Sequence, residues 1–251
     1  MASLTTTNGH FTGHGIAVDV VLFTIRDGLL KLLLVKRRLT PYRGAWALPG
    51  GIVGPEESVD QAALRELQEK TAIDNIYLEQ LYTFGEPNRD PRGRVITVAY
   101  YALVNWQQFQ LKTRQRGASA LERLEREPQL AGRAVSDVDW FPVKRLPELA
   151  FDHRRIVDYA LERLRNKINY TTVGFQLLGK EFTLTELQRS YEVILGQRLD
   201  KRNFRRKMLQ LGILRGTREF KVNGRARPAR LYTFTEPKVV KLQEKGIIVP
   251  F

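Results

Sequence analysis

Apolar runs separated by polar turns divide the first two thirds of the chain into predicted β-strands. Two of these runs, 16–25 and 29–38, flank Asp27-Gly28, a dipeptide typical of a two-residue hairpin turn. Three further runs are rich in Val, Ile and Tyr and are predicted strands, at 76–84, 94–104 and 138–143. The pattern therefore predicts a sheet in which two strands are joined as a hairpin.

Two amphipathic helices are predicted among these strands. Ser58 and Gln61 have the spacing of a capping box, so a helix is expected to begin after Ser58. A second helix is predicted over 153–167, after the last strand. Residues 107–136 are polar and are predicted to form an insertion, with a short helix at 118–126. Together these elements predict an α/β domain with a mixed sheet between helices.

The pattern changes in the last third of the chain, where a smaller set of elements follows. Thr183 and Glu186 have the spacing of a second capping box, which opens a helix. Asp200 is placed to cap a third helix, which ends at Gly212. Residues 213–234 are predicted to form a β-hairpin. Helix, turn, helix and hairpin is the order of a winged helix-turn-helix domain.

The charge of the chain is concentrated in this last segment. The formal net charge is +14, and residues 170–251 contribute +10 of it, with 17 Lys or Arg against 7 Asp or Glu. A small and strongly basic segment is typical of a domain that binds a polyanion. A solvated basic surface is the alternative explanation of the same charge.

Composition also indicates the compartment. The chain has no cysteine, no apolar run of membrane-spanning length and no signal-peptide pattern at its start. We therefore expect a cytoplasmic protein without a membrane partner. The expected organisation is a mobile tail, an α/β domain and a winged helix-turn-helix domain, at 1–14, 15–168 and 169–251.

The third helix of the last segment combines an apolar stripe with a basic face. Phe204, Met208 and Leu211 recur at the spacing of a core stripe. Arginine and asparagine side chains are suited to guanine and adenine edges in the major groove of DNA. The predicted DNA contacts, on this helix and at the hairpin tip, are Lys201, Arg202, Asn203, Arg205, Arg206, Lys207, Arg225 and Arg227. A protein-docking face is the alternative role for such a helix.

The most specific motif is GIVGPEESVDQAALRELQEKTAI, at 51–73. Its spacing of a glycine, five residues, a glutamate, seven residues and then RELQEKTAI resembles the Nudix box. Glu66 and Glu69 lie on one side of a helix, where carboxylates bind magnesium beside phosphate oxygens. Two positions depart from the Nudix pattern, since Lys70 replaces a glutamate and Ala72 replaces a glycine. Lys70 repels divalent cations, so we expect negligible hydrolytic activity.

A degenerate Nudix domain followed by a basic winged helix resembles the Nudix-related transcriptional regulators of NAD metabolism, the NrtR family. The resemblance covers nearly all of residues 15–235. It implies a homodimeric repressor that binds a palindromic, double-stranded operator and releases it when ADP-ribose binds the Nudix domain. No cofactor is required, and a role for magnesium is left open. The alternatives are a sugar-responsive regulator of the same family and an active ADP-ribose pyrophosphatase that also binds DNA.

Several residue types in the α/β segment are suited to ADP-ribose. Arginine forks and backbone N–H groups next to glycine bind a pyrophosphate, and an aromatic side chain packs against adenine. The predicted ligand contacts are Arg37, Arg38, Trp46, Gly50, Gly51, Arg89, Arg92, Phe151 and His153. The alternatives are surface ion pairs for the arginines, core packing for the aromatics and a structural role for the histidine.

Overall fold

The computed structural model describes residues 6–7, 10–11, 14–71, 76–109, 135–222 and 227–235. The described residues form two compact units, one drawn from 1–24, 31–104 and 108–160 and the other from 25–30, 105–107 and 161–251. Near the start of the chain, β1 (Thr6–Thr7) pairs with β2 (His10–Phe11) in a two-stranded antiparallel ladder. This ladder lies within the predicted tail, whose mobility stays a prediction.

The first unit is built on a seven-stranded mixed sheet. Its strands are β3 (Gly15–Arg26), β4 (Leu29–Arg37), β5 (Trp46–Ala47), β6 (Gly50–Ile52), β7 (Tyr77–Phe84), β8 (Val95–Leu103) and β9 (Val135–Pro142). They follow the order β5-β4-β3-β8-β7, with β6 beside β3 and β9 beside β4. β3 and β8 are parallel, whereas the other pairs are antiparallel.

All five predicted strands are confirmed, and their ends fall within three residues of the predicted limits. Residues 17–24 of β3 are buried without a break, as is typical of a central strand covered on both faces. Two short strands of this sheet, β5 and β6, were not predicted, because two or three residues carry no apolar period. They are strands only because β4 and β3 supply their hydrogen-bond partners.

α1 (Val59–Thr71) lies in the first unit, and α2 (His153–Lys167) begins in it, with its residues 161–167 assigned to the second unit. The predicted capping box is present at the start of α1. The Gln61 N–H donates to Ser58 Oγ at 3.2 Å, and the Ser58 N–H donates to Gln61 Oε1 at 2.8 Å. α1 buries Ala63 and Leu67 in the core. The predicted α/β class and mixed sheet are therefore confirmed.

The second unit contains the predicted helix, turn, helix and hairpin. Its labelled elements are β10 (Glu181–Thr183), α3 (Leu184–Leu195), α4 (Lys201–Gln210), β11 (Leu214–Lys221) and β12 (Ala229–Phe234). Thr183 and Glu186 form the predicted capping box, and Asp200 accepts a hydrogen bond from the Asn203 N–H. Gly196 ends α3 in the left-handed conformation, with φ of 75°. The winged helix-turn-helix prediction is confirmed.

The sequence pattern missed one element of this unit. β10 pairs with β12, so the hairpin is part of a three-stranded sheet. The second unit also includes 161–168, which the predicted boundary at 168/169 assigned to the first domain, and the domain limits stay a prediction. Ile168, one residue beyond α2, is buried and lies beside Gly174.

Three predictions concern residues outside the described ranges. These are the short helix at 118–126, the hairpin tip with Arg225 and part of the tail at 1–14. Among the helices that are described, none is long and apolar enough to cross a membrane.

Candidate functional site

A cavity of about 170 Å³ lies in the first unit, beside the start of β3, β6 and the turn before α2. Seven of the nine predicted ligand residues line it: Arg37, Gly50, Gly51, Arg89, Arg92, Phe151 and His153. The lining also includes two carboxylates, Asp19 and Asp90, and an apolar set of Ala17, Leu39, Leu48, Ile52 and Val95. The fold therefore brings together residues that are up to 136 positions apart in the chain, Ala17 to His153.

Arg89 forms a buried ion-pair network at the wall of this cavity. Its Nε and Nη2 donate to the two carboxylate oxygens of Asp152 at 3.1 and 2.7 Å. Nη2 also donates to Asp19 Oδ2 at 3.2 Å. Burial alone would lower the pKa of Arg89, but Asp152 and Asp19 raise it, so the side chain stays charged. Arg89 therefore holds the carboxylates of Asp152 and Asp19 in position at the cavity wall.

His153 completes this network from the first turn of α2. Its Nδ1 accepts a hydrogen bond from the Leu48 N–H at 2.9 Å, so the ring proton lies on Nε2. Nε2 is 3.3 Å from Asp19 Oδ1. Burial raises the pKa of Asp19, but His153 and Arg89 outweigh it and hold the pKa at about 2. Asp19 is therefore an ionised carboxylate in a buried strand.

Arg37 and Arg92 lie near the ring of Phe151. Their guanidinium carbons are 4.7 and 5.7 Å from its centroid, distances typical of cation–π contacts. Arg92 is held by Asp90 through Nε and Nη2 at 3.0 and 2.6 Å. Burial and the charge of Arg92 lower the pKa of Arg37. Phe151 has a positive φ of 54°, an uncommon conformation for an aromatic residue and one found mostly at functional sites.

The two glycines of the cavity lie in close contact with other parts of the protein. A Cβ at Gly51 would collide with the carboxylate of Glu66 on α1. A Cβ at Gly50 would collide with the Val18 carbonyl and approach the Asp19 carboxylate. The predicted reason for these glycines was close approach of a ligand. The structure shows that α1 and β3 already approach them closely.

The two remaining predicted residues, Arg38 and Trp46, do not line the cavity. Trp46 packs edge-to-face against Phe141, with ring centroids 4.7 Å apart. Lys36 lies 5.8 Å from the Trp46 ring centroid. Trp46 is half-buried in an aromatic contact of the sheet, and its role as a ligand residue stays a prediction.

The carboxylates of the box motif converge on Arg65. Its guanidinium donates to both oxygens of Glu57, at 3.0 and 2.7 Å, and to Glu66 Oε1 at 2.7 Å. Glu69 Oε1 is 3.5 Å from Arg65 Nη1. Hydrogen bonds from Arg65 lower the pKa of Glu57 to about 2. Arg65 therefore pairs with all three of these carboxylates.

Within the described ranges, no group of three His, Asp or Glu side chains is placed to hold one ion. Lys70 lies in the last turn of α1, one turn beyond Glu66, and its side chain is outside the description. The prediction that Lys70 disfavours metal binding stays a prediction.

Asp19 is one of the cavity residues that the sequence analysis missed. It stands alone among apolar residues, in the run IAVDVVLF of β3. A carboxylate inside a strand that is otherwise buried needs a partner, because an unpaired charge is costly to bury. That pattern was a usable signal for a site residue.

The basic face of α4 lies in the second unit. Phe204 and Met208 are buried, with Leu211 just beyond the helix, which confirms the predicted core stripe. Arg202 and Arg206 are exposed, and Arg206 donates to Asn203 Oδ1 at 2.9 Å.

The other predicted DNA contacts differ in their surroundings. Arg205 is half-buried and donates to Thr185 Oγ1 at 3.0 Å. Lys201 and Arg227 are exposed, and Lys207 is half-buried. Arg225 lies outside the described residues.

Known proteins resemble both units of the chain. The family model described as the NUDIX domain matches residues 13–160, and that of the NrtR DNA-binding winged helix domain matches residues 174–234. The chain is 39% identical over 221 residues to the ADPR responsive transcriptional repressor NtrR of Acinetobacter baylyi, covering 87% of this chain and 81% of the relative. It is 33% identical over 138 residues to the ADP-ribose pyrophosphatase of Methanocaldococcus jannaschii, covering 53% of this chain and 70% of that protein.

Solved structures also match most of the chain. The crystal structure of Shewanella oneidensis NrtR complexed with a 27mer DNA has a TM-score of 0.72 and 40% identity, covering 87% of this chain and 93% of that chain. The box motif, the cavity beside it and the basic winged helix agree with these matches. The chain therefore belongs to the NrtR family, with a Nudix domain followed by an NrtR DNA-binding winged helix domain.

Proposed function

We propose that this protein is a homodimeric transcriptional repressor that binds double-stranded operator DNA and releases it on binding ADP-ribose. The observation that carries the proposal is that one chain contains a cation-lined Nudix cavity and a basic winged helix. The Acinetobacter relative, whose name describes an ADPR responsive repressor, supports the effector and the response. The Shewanella relative, solved with a 27mer DNA, supports the DNA partner.

Arg37 and Arg92 are the proposed pyrophosphate ligands. Both guanidinium groups lie beside Phe151, and the charge of Arg92 contributes to the lowered pKa of Arg37. A pyrophosphate bound next to both would relieve this repulsion and accept hydrogen bonds from both. Arg89 is assigned a supporting role, because its Nε and Nη2 already donate to Asp152 and Asp19.

Exposed residues of α4 are the proposed readers of the operator. Arg202 and Arg206 lie one turn apart and are exposed, and the Arg206 guanidinium is oriented by Asn203. Base-edge contacts in the major groove supply sequence preference, whereas phosphate contacts supply affinity for any sequence.

The proposal is tested with a duplex that the wild-type protein selects from a random pool. We expect ADP-ribose to release this duplex. We expect Arg202→Ala or Arg206→Ala to cost about 1–3 kcal/mol of binding and to relax the preference at one base pair. Electrophoretic titration of the selected and scrambled duplexes measures both effects. As a control, Arg154→Ala changes an exposed arginine of α2 and should leave binding unchanged.

Two results would contradict this assignment. If saturating ADP-ribose left the duplex bound, the regulatory part of the proposal would fail. If both α4 variants kept wild-type affinity and base preference, the reading face would lie elsewhere on the second unit.

We further propose that the Nudix domain does not hydrolyse ADP-ribose at a useful rate. Arg65 contacts Glu57, Glu66 and Glu69 together, and Lys70 replaces a glutamate of the motif. A metal-assisted hydrolysis needs carboxylates that are available to the metal ion. The Methanocaldococcus relative, named as an ADP-ribose pyrophosphatase, keeps hydrolysis as the second candidate function.

A hydrolysis assay and a charge reversal at Lys70 distinguish a repressor without hydrolytic activity from an active ADP-ribose pyrophosphatase. Purified protein with magnesium should leave ADP-ribose intact over hours. Lys70→Glu should raise the affinity for magnesium, measured by calorimetry, because it replaces a repelling charge with a ligand. Lys144→Glu makes the same charge change at an exposed site outside the box and should not raise it. Release of AMP and ribose 5-phosphate by the wild-type protein would favour the pyrophosphatase.

A further inference from the structure

A groove of about 680 Å³ lies in the second unit, beside the starts of α3 and α4 and the β11–β12 hairpin. Its charged lining comprises six cations and one carboxylate: Arg189, Lys201, Arg205, Lys221, Arg227, Arg230 and Glu186. The surplus of five positive charges is concentrated along one surface. Such a concentration attracts a polyanion, because the like charges repel each other when the groove holds no anion.

The single carboxylate of the groove is already neutralised within the protein. Lys221 Nζ lies 2.6 Å from Glu186 Oε1. The other oxygen of Glu186 accepts the Thr183 N–H at 2.8 Å in the capping box. Among the described residues, the five arginine and lysine side chains other than Lys221 form no ion pair. Their charges are therefore available to an external anion.

Arg205 is the most constrained of these cations. Its Nη2 donates to Thr185 Oγ1 at 3.0 Å, which ties the side chain to the first turn of α3. Its Nε is buried and has no hydrogen-bond partner among the described residues. A buried donor without a partner is costly, so an acceptor that reaches Arg205 is favoured.

α4 presents two adjacent rows of cations with different surroundings. Lys201 and Arg205 are one turn apart and line the groove. Arg202 and Arg206 are also one turn apart, are exposed and do not line the groove. Successive residues on a helix are rotated by about 100°, so one row faces the groove while the other faces outward.

We infer that this groove binds a backbone phosphate of the operator, with Arg205 and Arg189 as its principal ligands. The inference rests on the proposed function of the second unit in binding DNA. Phosphate contacts fix the position of a protein on the duplex without sequence information. The groove row of α4, Lys201 and Arg205, therefore sets the affinity for DNA and the position of the protein along it. The exposed row, Arg202 and Arg206, contacts the bases.

The test compares salt dependence for variants of the full chain. Each phosphate contact contributes about 0.9 to the slope of log K against log salt concentration. Arg205→Ala and Arg189→Ala should each reduce the slope by about that amount and weaken the selected and scrambled duplexes by the same factor. Arg205→Lys should recover most of the slope, because it keeps the charge. Arg198→Ala is the matched control, an exposed arginine of the same unit that does not line the groove.

Each contrary result has a defined meaning. An unchanged slope in both alanine variants, with wild type still bound to the selected duplex, would overturn the phosphate assignment alone. A loss confined to the selected duplex would make Arg205 a base reader and would also overturn it. By contrast, displacement of wild type from DNA by inorganic phosphate at constant ionic strength, abolished in Arg205→Ala, would support the phosphate assignment. If wild type selected no duplex, the proposed function itself would fail.

Discussion

Replacing Arg89 with alanine is expected to lower the free energy of unfolding by about 3–5 kcal/mol, the range for breaking a buried ion pair. Arg89 is 7% exposed and contacts Asp152 at 2.7 Å and Asp19 at 3.2 Å. Its removal leaves two negative charges in the cavity wall without their shared cation. Urea unfolding at pH 7 measures the change.

The matched control is an arginine–aspartate pair on the surface of α2. Arg154 Nε is 3.0 Å from Asp158, and the two side chains are 63% and 56% exposed. Arg154→Ala should change the free energy of unfolding by at most about 0.5 kcal/mol, because solvent screens an exposed pair. If Arg89→Ala were equally mild, the network would contribute little to stability, and Arg89 would be available to a ligand.

The second large effect is expected at Arg37, whose replacement by alanine should weaken ADP-ribose binding about tenfold to a hundredfold. This range corresponds to the loss of one charged hydrogen bond. Arg37 lines the cavity and lies over Phe151, and its Nε donates to the Pro41 carbonyl at 2.9 Å. DNA affinity without ligand should stay at the wild-type value, because no residue of the second unit changes. Calorimetry with ADP-ribose measures the first quantity and electrophoretic titration the second.

Two further variants separate a ligand contact from a loss of structure. Arg37→Lys keeps the charge and should retain part of the affinity, although it cannot form the two-pronged contact of a guanidinium. Arg145→Ala removes an exposed arginine of the same unit that does not line the cavity, and it should bind ADP-ribose normally. Wild-type affinity in Arg37→Ala, with the protein folded, would place the pyrophosphate elsewhere in the cavity.

Seven of the nine predicted ligand residues line the cavity, and their contact with a ligand stays a prediction. Arginine is suited to a pyrophosphate, and the sequence analysis assigned that role to Arg89 and Arg92 alike. The structure distinguishes the two arginines. Arg89 is buried and forms ion pairs with Asp152 and Asp19, whereas Arg92 is partly exposed and forms an ion pair with Asp90. The carboxylate partners of Arg89 are 70 and 63 positions away, so no local pattern identifies them.

The sequence by itself determined the elements and the class of each domain. The limits of α2 were predicted at 153–167 and are observed there, because an amphipathic period involves only residues within a few turns. The capping boxes at Ser58 and Thr183 could be predicted for the same reason, because each involves two residues that are three positions apart. The Nudix motif and the concentration of positive charge in the last 82 residues were also read directly from the chain.

Tertiary structure alone decided how side chains that are distant in the chain meet. It placed Asp19 beside His153, Gly51 against Glu66, and Trp46 against Phe141 and outside the cavity lining. In the second unit it joined β10 to β12 and divided the cations of α4 into a groove row and an exposed row. These outcomes depend on contacts between distant segments, whose geometry is set by packing of the whole core and is not encoded in any local spacing.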